Sequence, residues 1–235
     1  MTTKPMTPKW DGRTGVDEVA SQLYDDIVSL RLLPGAKMSE VEIATRFGVS
    51  RQPVREAFSR LSNLDLLLIR PQKATEVKRF SMKAIEKARF VRAAVEAEVL
   101  RRAARLCDKN GAAVLDASLK RQRALLKSGD IENFGPLDYE FHELLCQIAG
   151  VGFAFDVISS EKAKVDRLCI LGLSEEDRMP ALIEDHERIV AMIKAGDAEK
   201  AVDEGMLHLR RLDSTIERIK ANNVHFFEAD DDSAD

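Results

Sequence analysis

Residues 39–63, SEVEIATRFGVSRQPVREAFSRLSN, constrain the fold more than any other part of the chain. Ser39 with Glu42 three residues on is the pattern of a capping box. Ile43, Ala44 and Phe47 then give a first helix one apolar face. Gly48 falls where a glycine ends a helix. Ser50 is expected to cap a second helix, with Pro53 in its first turn, where a missing N–H costs little. Val54, Phe58 and Leu61 recur at helical spacing on one side of that helix. Arg51, Gln52, Arg55 and Ser59 fall on the other. A helix, a Gly turn and a second helix with a basic start is the recognition arrangement of a helix-turn-helix. Arg and Gln are the side chains suited to guanine and adenine edges in the major groove. The same pattern also fits a surface helix pair carrying ordinary charges.

The flanks extend this reading. Residues 1–14 are polar, with Pro5, Pro8 and Gly12, and are expected to be a flexible arm. Val16, Val19, Ala20, Leu23, Ile27 and Leu30 predict a helix running to about Arg31. Leu33-Pro34-Gly35 predicts a tight turn. After Leu64, the apolar LLLIR and TEV around the polar PQKA predict a two-stranded wing with Gln72 and Lys73 at its tip. LLPGAKMSEVEIA, GVSRQPVREAF and RPQKATEV together resemble the GntR family of bacterial winged-helix transcription regulators, over residues 16–77. The resemblance implies that Ser50, Arg51, Gln52, Arg55, Ser59, Gln72 and Lys73 face DNA. Asp65 and Ala74 stand where that family usually has glycine. Asp tolerates the left-handed conformation that a glycine would supply, whereas Ala at the wing tip keeps a backbone further from a groove.

Charge divides the 235 residues unevenly. Residues 1–80 carry 13 Lys+Arg against 10 Asp+Glu, and the remainder 23 against 30, which gives +3 and −7 within a net −4. A mildly basic head on an acidic body suits a DNA-binding module whose partner domain does not touch DNA. A content of 45% hydrophobic and 32% charged residues is that of a soluble globular protein. No run approaches the ~18 apolar residues of a membrane span. The start has no apolar stretch of a signal peptide. Cys107, Cys146 and Cys169 are odd in number, and no CxxC is present, so they are expected to be reduced thiols in a cytoplasmic protein.

From residue 82 on no strand pattern is seen. Helical stretches are expected near 82–107, 111–127, 131–149, 152–171, 177–195 and 197–221, with Gly111, Gly129, Gly150, Gly172 and Gly196 near the breaks. Residues 79–222 thus predict an all-helical bundle with one elongated core. The fold class is mostly α: a winged helix-turn-helix over 15–78, then this bundle. Residues 223–235, with FFEADDDSAD, are expected to be an acidic tail without fixed structure, and His225 a plain surface residue.

Three of the four histidines lie on inward faces of that bundle. Asp138 and His142, four apart, share a face with Phe134, Phe141, Leu145 and Ile148. His186 sits among Leu182, Ile183, Ile189, Val190 and Ile193. His208 falls on the stripe of Ala201, Gly205, Leu212, Ile216 and Ile219. Buried carboxylates and imidazoles need partners. One divalent transition metal would satisfy all four, zinc being the leading candidate, with nickel, iron or manganese as others. Core histidines satisfied by backbone or by one another are the alternative.

LDYEFH, EDHERI and LHL resemble the metal-binding motifs of the FCD-type effector domain, in the FadR-like branch of the GntR family. Asp138, His142, His186 and His208 match its four ligand positions. Arg92 and Glu96 in VRAAVEAE match its R-x-x-L-E segment, which implies an effector-binding role; a surface ion pair is the alternative. Val151 departs from an asparagine that the family often has. The helix count resembles the VanR-like six-helix subgroup. The resemblance implies a regulator, not an enzyme, most often a repressor. It would act as a homodimer on an inverted-repeat operator of double-stranded DNA and answer to a small carboxylate bound at the metal. A helical-bundle metalloenzyme, and a regulator sensing the metal itself, are the competing readings. The three ligating His and one Asp leave open positions as a catalytic site needs, but no Glu-x-x-His pairs are present.

Overall fold

The structure, a computed structural model, describes residues 14–130, 133–171 and 175–229. The expected arm up to residue 13, the break at Gly172 and the acidic residues from 230 lie outside them. The described residues form two compact units, one of residues 14–82 joined by 223–229, the other of those within 83–222.

In the first unit, helix α1 (Gly15–Val28) packs its Val19, Leu23 and Ile27 face against α3 (Arg51–Asn63). Helix α2 (Glu40–Phe47) lies between them in sequence. The capping box forms as expected: Glu42 N–H donates to Ser39 Oγ at 3.1 Å, and Ser39 N–H to Glu42 Oε2 at 2.9 Å. Gly48 closes α2 at φ 64°, in the left-handed region that glycine enters freely. Ser50 holds the N-cap position of α3, but its side chain accepts no capping bond, so that expectation fails. α1 also stops three residues early, at Val28, where the Ser29 hydroxyl donates to the Asp25 carbonyl and Leu30 turns to φ 57°. Asp26 accepts from Gln22, Arg31 and Arg46, which ties α1 to α2.

The wing has three strands where two were expected. β1 (Lys37–Met38), β2 (Leu67–Leu68) and β3 (Thr75–Val77) form an antiparallel sheet in the order β1-β3-β2. Met38 pairs with Thr75, and Leu67 with Val77. A two-residue strand has no readable alternation, so β1 was invisible in the sequence. Asp65 adopts φ 60° and Gln72 φ 57°, while Ala74 keeps an ordinary φ. The strained turn of the wing thus falls at Gln72, not Ala74. Part of the expected tail is ordered as well. Residues 224–226 form a 3-10 turn, and Phe227 pairs in parallel with Phe80, the rings 5.6 Å apart. Phe80 N–H donates to the Phe226 carbonyl, and Glu228 N–H to that of Phe80. Burying Phe80 and Phe227 together is what holds this stretch.

The second unit is helical throughout its described residues: α4 (Met82–Leu106), α5 (Lys109–Ser128), α6 (Phe134–Ile148), α7 (Ala154–Cys169), α8 (Glu175–Lys194), α9 (Ala198–Arg210) and α10 (Asp213–Asn222). The last expected stretch is therefore two helices, and the body departs from a six-helix form. No Gly or Pro marks the break. It falls where Arg211 directs its guanidinium to the buried Asp185, a tertiary contact that periodicity cannot report. Leu100, Leu115, Phe141, Leu145, Phe155, Ile189 and Ile193 lie in one continuous core. No described helix is long and apolar enough to cross a membrane. The three cysteines are free thiols.

Asp65 gives a direct check. Its left-handed backbone strains any residue with a Cβ, while its carboxylate gains only an exposed pair with Lys78. Asp65→Gly should raise the stability of the first unit by about 0.5–1 kcal/mol, read from urea denaturation midpoints. A loss of stability would mean that the Lys78 pair outweighs the backbone strain.

Candidate functional site

Helix α3 presents its polar face to solvent. Ser50, Arg51, Gln52, Arg55 and Ser59 are exposed, as are Gln72 and Lys73 in the wing turn. Glu40, the first residue of α2, accepts from both arginines: Arg51 Nη2 at 2.7 Å, Arg55 Nε at 3.0 Å and Arg55 Nη2 at 2.9 Å. The bonds from Arg55 and Arg51 hold the Glu40 carboxyl down to about 2. The two arginine side chains are 60% and 57% exposed. Pairs so wet are weak and exchange readily for another anion. Glu40 therefore aligns the two arginines without locking them. Arg60, further along α3, bonds Asp17 of α1 and Glu56, and so fixes the helix pair instead of facing outward.

The second constellation is buried in the helical body. α6 supplies Asp138 and His142, α8 His186, and α9 His208. One potential ligand atom from each falls within 4.8 Å of the others, and all four residues are buried. The helical period explains the α6 pair: residues four apart project from one face. His186 stacks on the Phe141 ring at 4.0 Å, and the His186 and His208 rings are 4.9 Å apart.

Each of the four has a polar or charged neighbour behind it, and each neighbour comes from a different helix. Glu96 Oε2 on α4 lies 3.0 Å from His142 Nδ1. Gln122 Oε1 on α5 lies 2.8 Å from His186 Nδ1. Lys162 Nζ on α7 donates to Asp138 Oδ2 at 2.9 Å and to Asp166 Oδ2 at 2.6 Å. Asp185 Oδ2 on α8 lies 3.4 Å from His208 Nδ1. Asp185 is in turn held by Arg211, through two contacts of 2.6 Å, and by Arg188. Buried without a hydrogen bond are Asp138 Oδ1, His142 Nε2 and His186 Nε2, and with them His142 Nδ1 and His208 Nδ1, whose carboxylate neighbours stand close but out of hydrogen-bond alignment. Buried polar atoms of a native protein rarely go unsatisfied. Imidazoles whose second nitrogen meets a carboxylate or amide are the arrangement seen around a bound metal ion. The donor set of three imidazoles and one carboxylate suits a divalent transition ion.

The electrostatics agree. Burial pushes the His186 imidazole well below its usual value, and the neighbouring His208 lowers it further. Burial also lowers His208, against the opposing pull of Asp185. Both rings are therefore neutral at pH 7, the form that ligates. Burial raises Asp138, but the Lys162 ammonium opposes it and holds the group ionised.

Arg92 and Glu96 lie on α4 as expected, but not as a surface pair. They are 6% and 5% exposed, and Arg92 donates to Glu96 Oε1 from Nε at 2.9 Å and Nη2 at 2.8 Å. Gln122, Lys162, Asp166 and Asp185 escaped the sequence reading. A signal existed for two of them. Gln122 continues the buried stripe of Leu115, Ser118 and Leu119, and Lys162 that of Phe155, Ile158 and Val165. His225 is exposed, as expected, though its carbonyl accepts from Arg79.

Comparison with known proteins bears on both constellations. Residues 16–77 match the family described as bacterial regulatory proteins, gntR family, and residues 88–211 match the FCD domain. The chain is 35% identical over 206 residues to the HTH-type transcriptional repressor RspR of Escherichia coli (strain K12), covering 87% of this chain and 90% of that one. It is 32% identical over 220 residues to an HTH-type transcriptional regulator in an unstable DNA locus of Streptomyces ambofaciens, covering 94% and 92%. The fold is similar to that of E. coli McbR/YncC, at a TM-score of 0.66 and 18% identity, over 87% of this chain and 98% of that one. These are families of transcription regulators, and the metalloenzyme reading is set aside on that ground.

Lys162 is the most exacting of the newly found partners. It is a buried ammonium between two carboxylates, and its removal leaves both without a counter-charge. Lys162→Met should destabilise the metal-free protein by about 3–5 kcal/mol in urea denaturation at neutral pH. A change under ~1 kcal/mol, within the range of an exposed pair, would place the ammonium in solvent instead.

Proposed function

The chain belongs to the gntR family of bacterial regulatory proteins and its body is an FCD domain, and from that premise we propose that it is a transcription repressor whose operator binding is governed by a small carboxylate held at a divalent metal site. The observation that carries this reading is the four-residue cluster of Asp138, His142, His186 and His208 with its unsatisfied inner atoms. The repressor sense follows the name of the relative RspR. A homodimer would place one α3 in each half-site of an inverted repeat. Arg51, Gln52, Arg55, Ser50 and Ser59 would approach the major groove, and Gln72 and Lys73 the flanking backbone. Glu40 would release its arginines to phosphate or base edges.

A bound ion would supply open coordination positions for carboxylate oxygens. The chain's own residues do the rest. Glu96, Gln122 and Asp185 orient the three imidazoles, Lys162 holds Asp138 by one oxygen and leaves the other free, and Arg92 offers a second anchor for an acid. Zinc is the leading ion, with nickel, iron or manganese as others. The effector acts only as far as it binds the operator-competent and operator-incompetent states with different affinity.

Three expectations test this. Arg51→Ala or Arg55→Ala should cost about 1–3 kcal/mol of operator affinity at fixed salt and relax one base position; two variants with unchanged affinity would remove α3 from the recognition role. His208→Ala should lower metal content and melting temperature together, because an ion bound only by the folded state adds to its stability. Its operator affinity should persist, since no ligand lies in the first unit. Native protein purified without chelator that holds no transition metal, and takes none up at neutral pH, would return the cluster to a self-satisfied core. Gln122→Ala should weaken metal binding about 10–100-fold in chelator competition, since it frees the His186 tautomer. Metal that alone releases DNA, with organic acids inert, would make the ion itself the signal.

A further inference from the structure

A cavity of about 350 Å³ opens beside Arg92, walled by α4, α7, α9 and the break before α10. Its apolar walls are Ala93, Val165, Met206, Leu209 and Leu212. Its polar lining consists of three arginines, Arg89, Arg92 and Arg210. Arginine has five N–H donors and no acceptor. All three are partly engaged: Arg89 pairs with Asp213, and Arg92 bonds Glu96 through Nε and Nη2. Arg210 is exposed and donates from Nε to the Met206 carbonyl. Arg92 is the buried one, and through Glu96 it is one contact from His142 of the four-residue cluster.

This lining sets the chemistry of what can enter. A carboxylate satisfies donors because it only accepts. A hydroxyl must also donate, and none of the side chains lining this cavity offers an oxygen to receive it. Every hydroxyl that a polyhydroxy acid carried inside would lose a water bond and gain no side-chain acceptor, a loss that such sites turn into discrimination. An apolar body, by contrast, gains from covering Val165, Met206 and Leu209. The size points the same way. About 350 Å³ is near the lower end of the ~300–1,000 Å³ typical of small-molecule pockets, so the ligand is compact.

We infer that the effector is a small monocarboxylic acid with a compact apolar body, a single aromatic ring or a short branched chain, carboxylate toward Arg92 and body against α7 and α9, and not a polyhydroxylated sugar acid. The inference deepens the effector reading above and rests on it. The break between α9 and α10 is part of the device: Leu212 reaches the cavity at the point where Arg211 turns to Asp185. A ligand there touches the same turn that Asp185 holds.

The test is calorimetric titration of the full-length, zinc-loaded protein with acetate, phenylacetate and gluconate, alongside operator release. Phenylacetate should bind at least tenfold more tightly than gluconate and release operator DNA. Acetate, which needs only the anionic anchor, should bind more weakly than phenylacetate. Ala93→Leu fills the wall and should weaken phenylacetate at least tenfold while metal content and acetate binding stay unchanged. Met206→Ala, at a half-buried position, should enlarge the cavity and shift preference towards a two-ring acid such as 1-naphthylacetate. Gluconate binding more tightly than phenylacetate would overturn the ligand class while leaving a carboxylate effector in place. Failure of all three acids to bind would overturn the effector reading itself and this one with it. Equal weakening of acetate and phenylacetate by Ala93→Leu would remove the apolar body from this cavity.

Discussion

The helical body is organised around the burial of one carboxylate and three imidazoles at its centre. Taking such groups out of water is costly unless each finds a counter-charge or hydrogen-bond partner. The chain sets a neighbour against each of them helix by helix, Glu96 from α4, Gln122 from α5, Lys162 from α7 and Asp185 from α8. Partners on the outer side leave the inner atoms of Asp138, His142 and His186 facing one another unsatisfied. A cluster so arranged has the donor set of a cation site and adds little to the stability of the core by itself. Apolar residues of like volume would pack as well at less cost.

The same network extends outward to the cavity and to the break between α9 and α10. Glu96 joins Arg92 to His142, and Asp185 joins His208 to Arg211. Two chains of charge thus run from the cluster, one to the wall of the cavity and one to the turn beside it. The first unit follows a different logic. Its arginines on α3 are held by a single exposed carboxylate, Glu40, and pairs in that setting are weak enough to be exchanged for another anion. The body commits its charges to fixed partners, while α3 keeps its arginines available.

Much of this was legible in the sequence because it depends on local spacing. The capping box at Ser39, the glycine stop at Gly48, the apolar stripe of α3 and the i, i+4 pairing of Asp138 with His142 are set by helix geometry and by residues a few positions apart. Asp65 in the left-handed region could be anticipated from a side chain that tolerates it. The inward faces of His186 and His208 followed from their apolar neighbours, and these sufficed to name the four-residue cluster.

What only tertiary structure decided lies in contacts between segments remote in sequence. β1 exists because Lys37 and Met38 meet Glu76 and Thr75, and two residues carry no period of their own. The stretch around Phe227 is ordered by Phe80, far earlier in the chain. The end of α9 at Arg210 has no local signal and falls where Arg211 reaches Asp185. A one-dimensional pattern left open whether Arg92 and Glu96 are an exposed pair or part of an effector site, and only the packing of the bundle shows them buried. Gln122, Lys162 and Asp185 became partners of the cluster for the same reason. A polar residue on a buried stripe announces that it needs a partner, but which residue answers is fixed by how the helices pack, not by spacing along the chain.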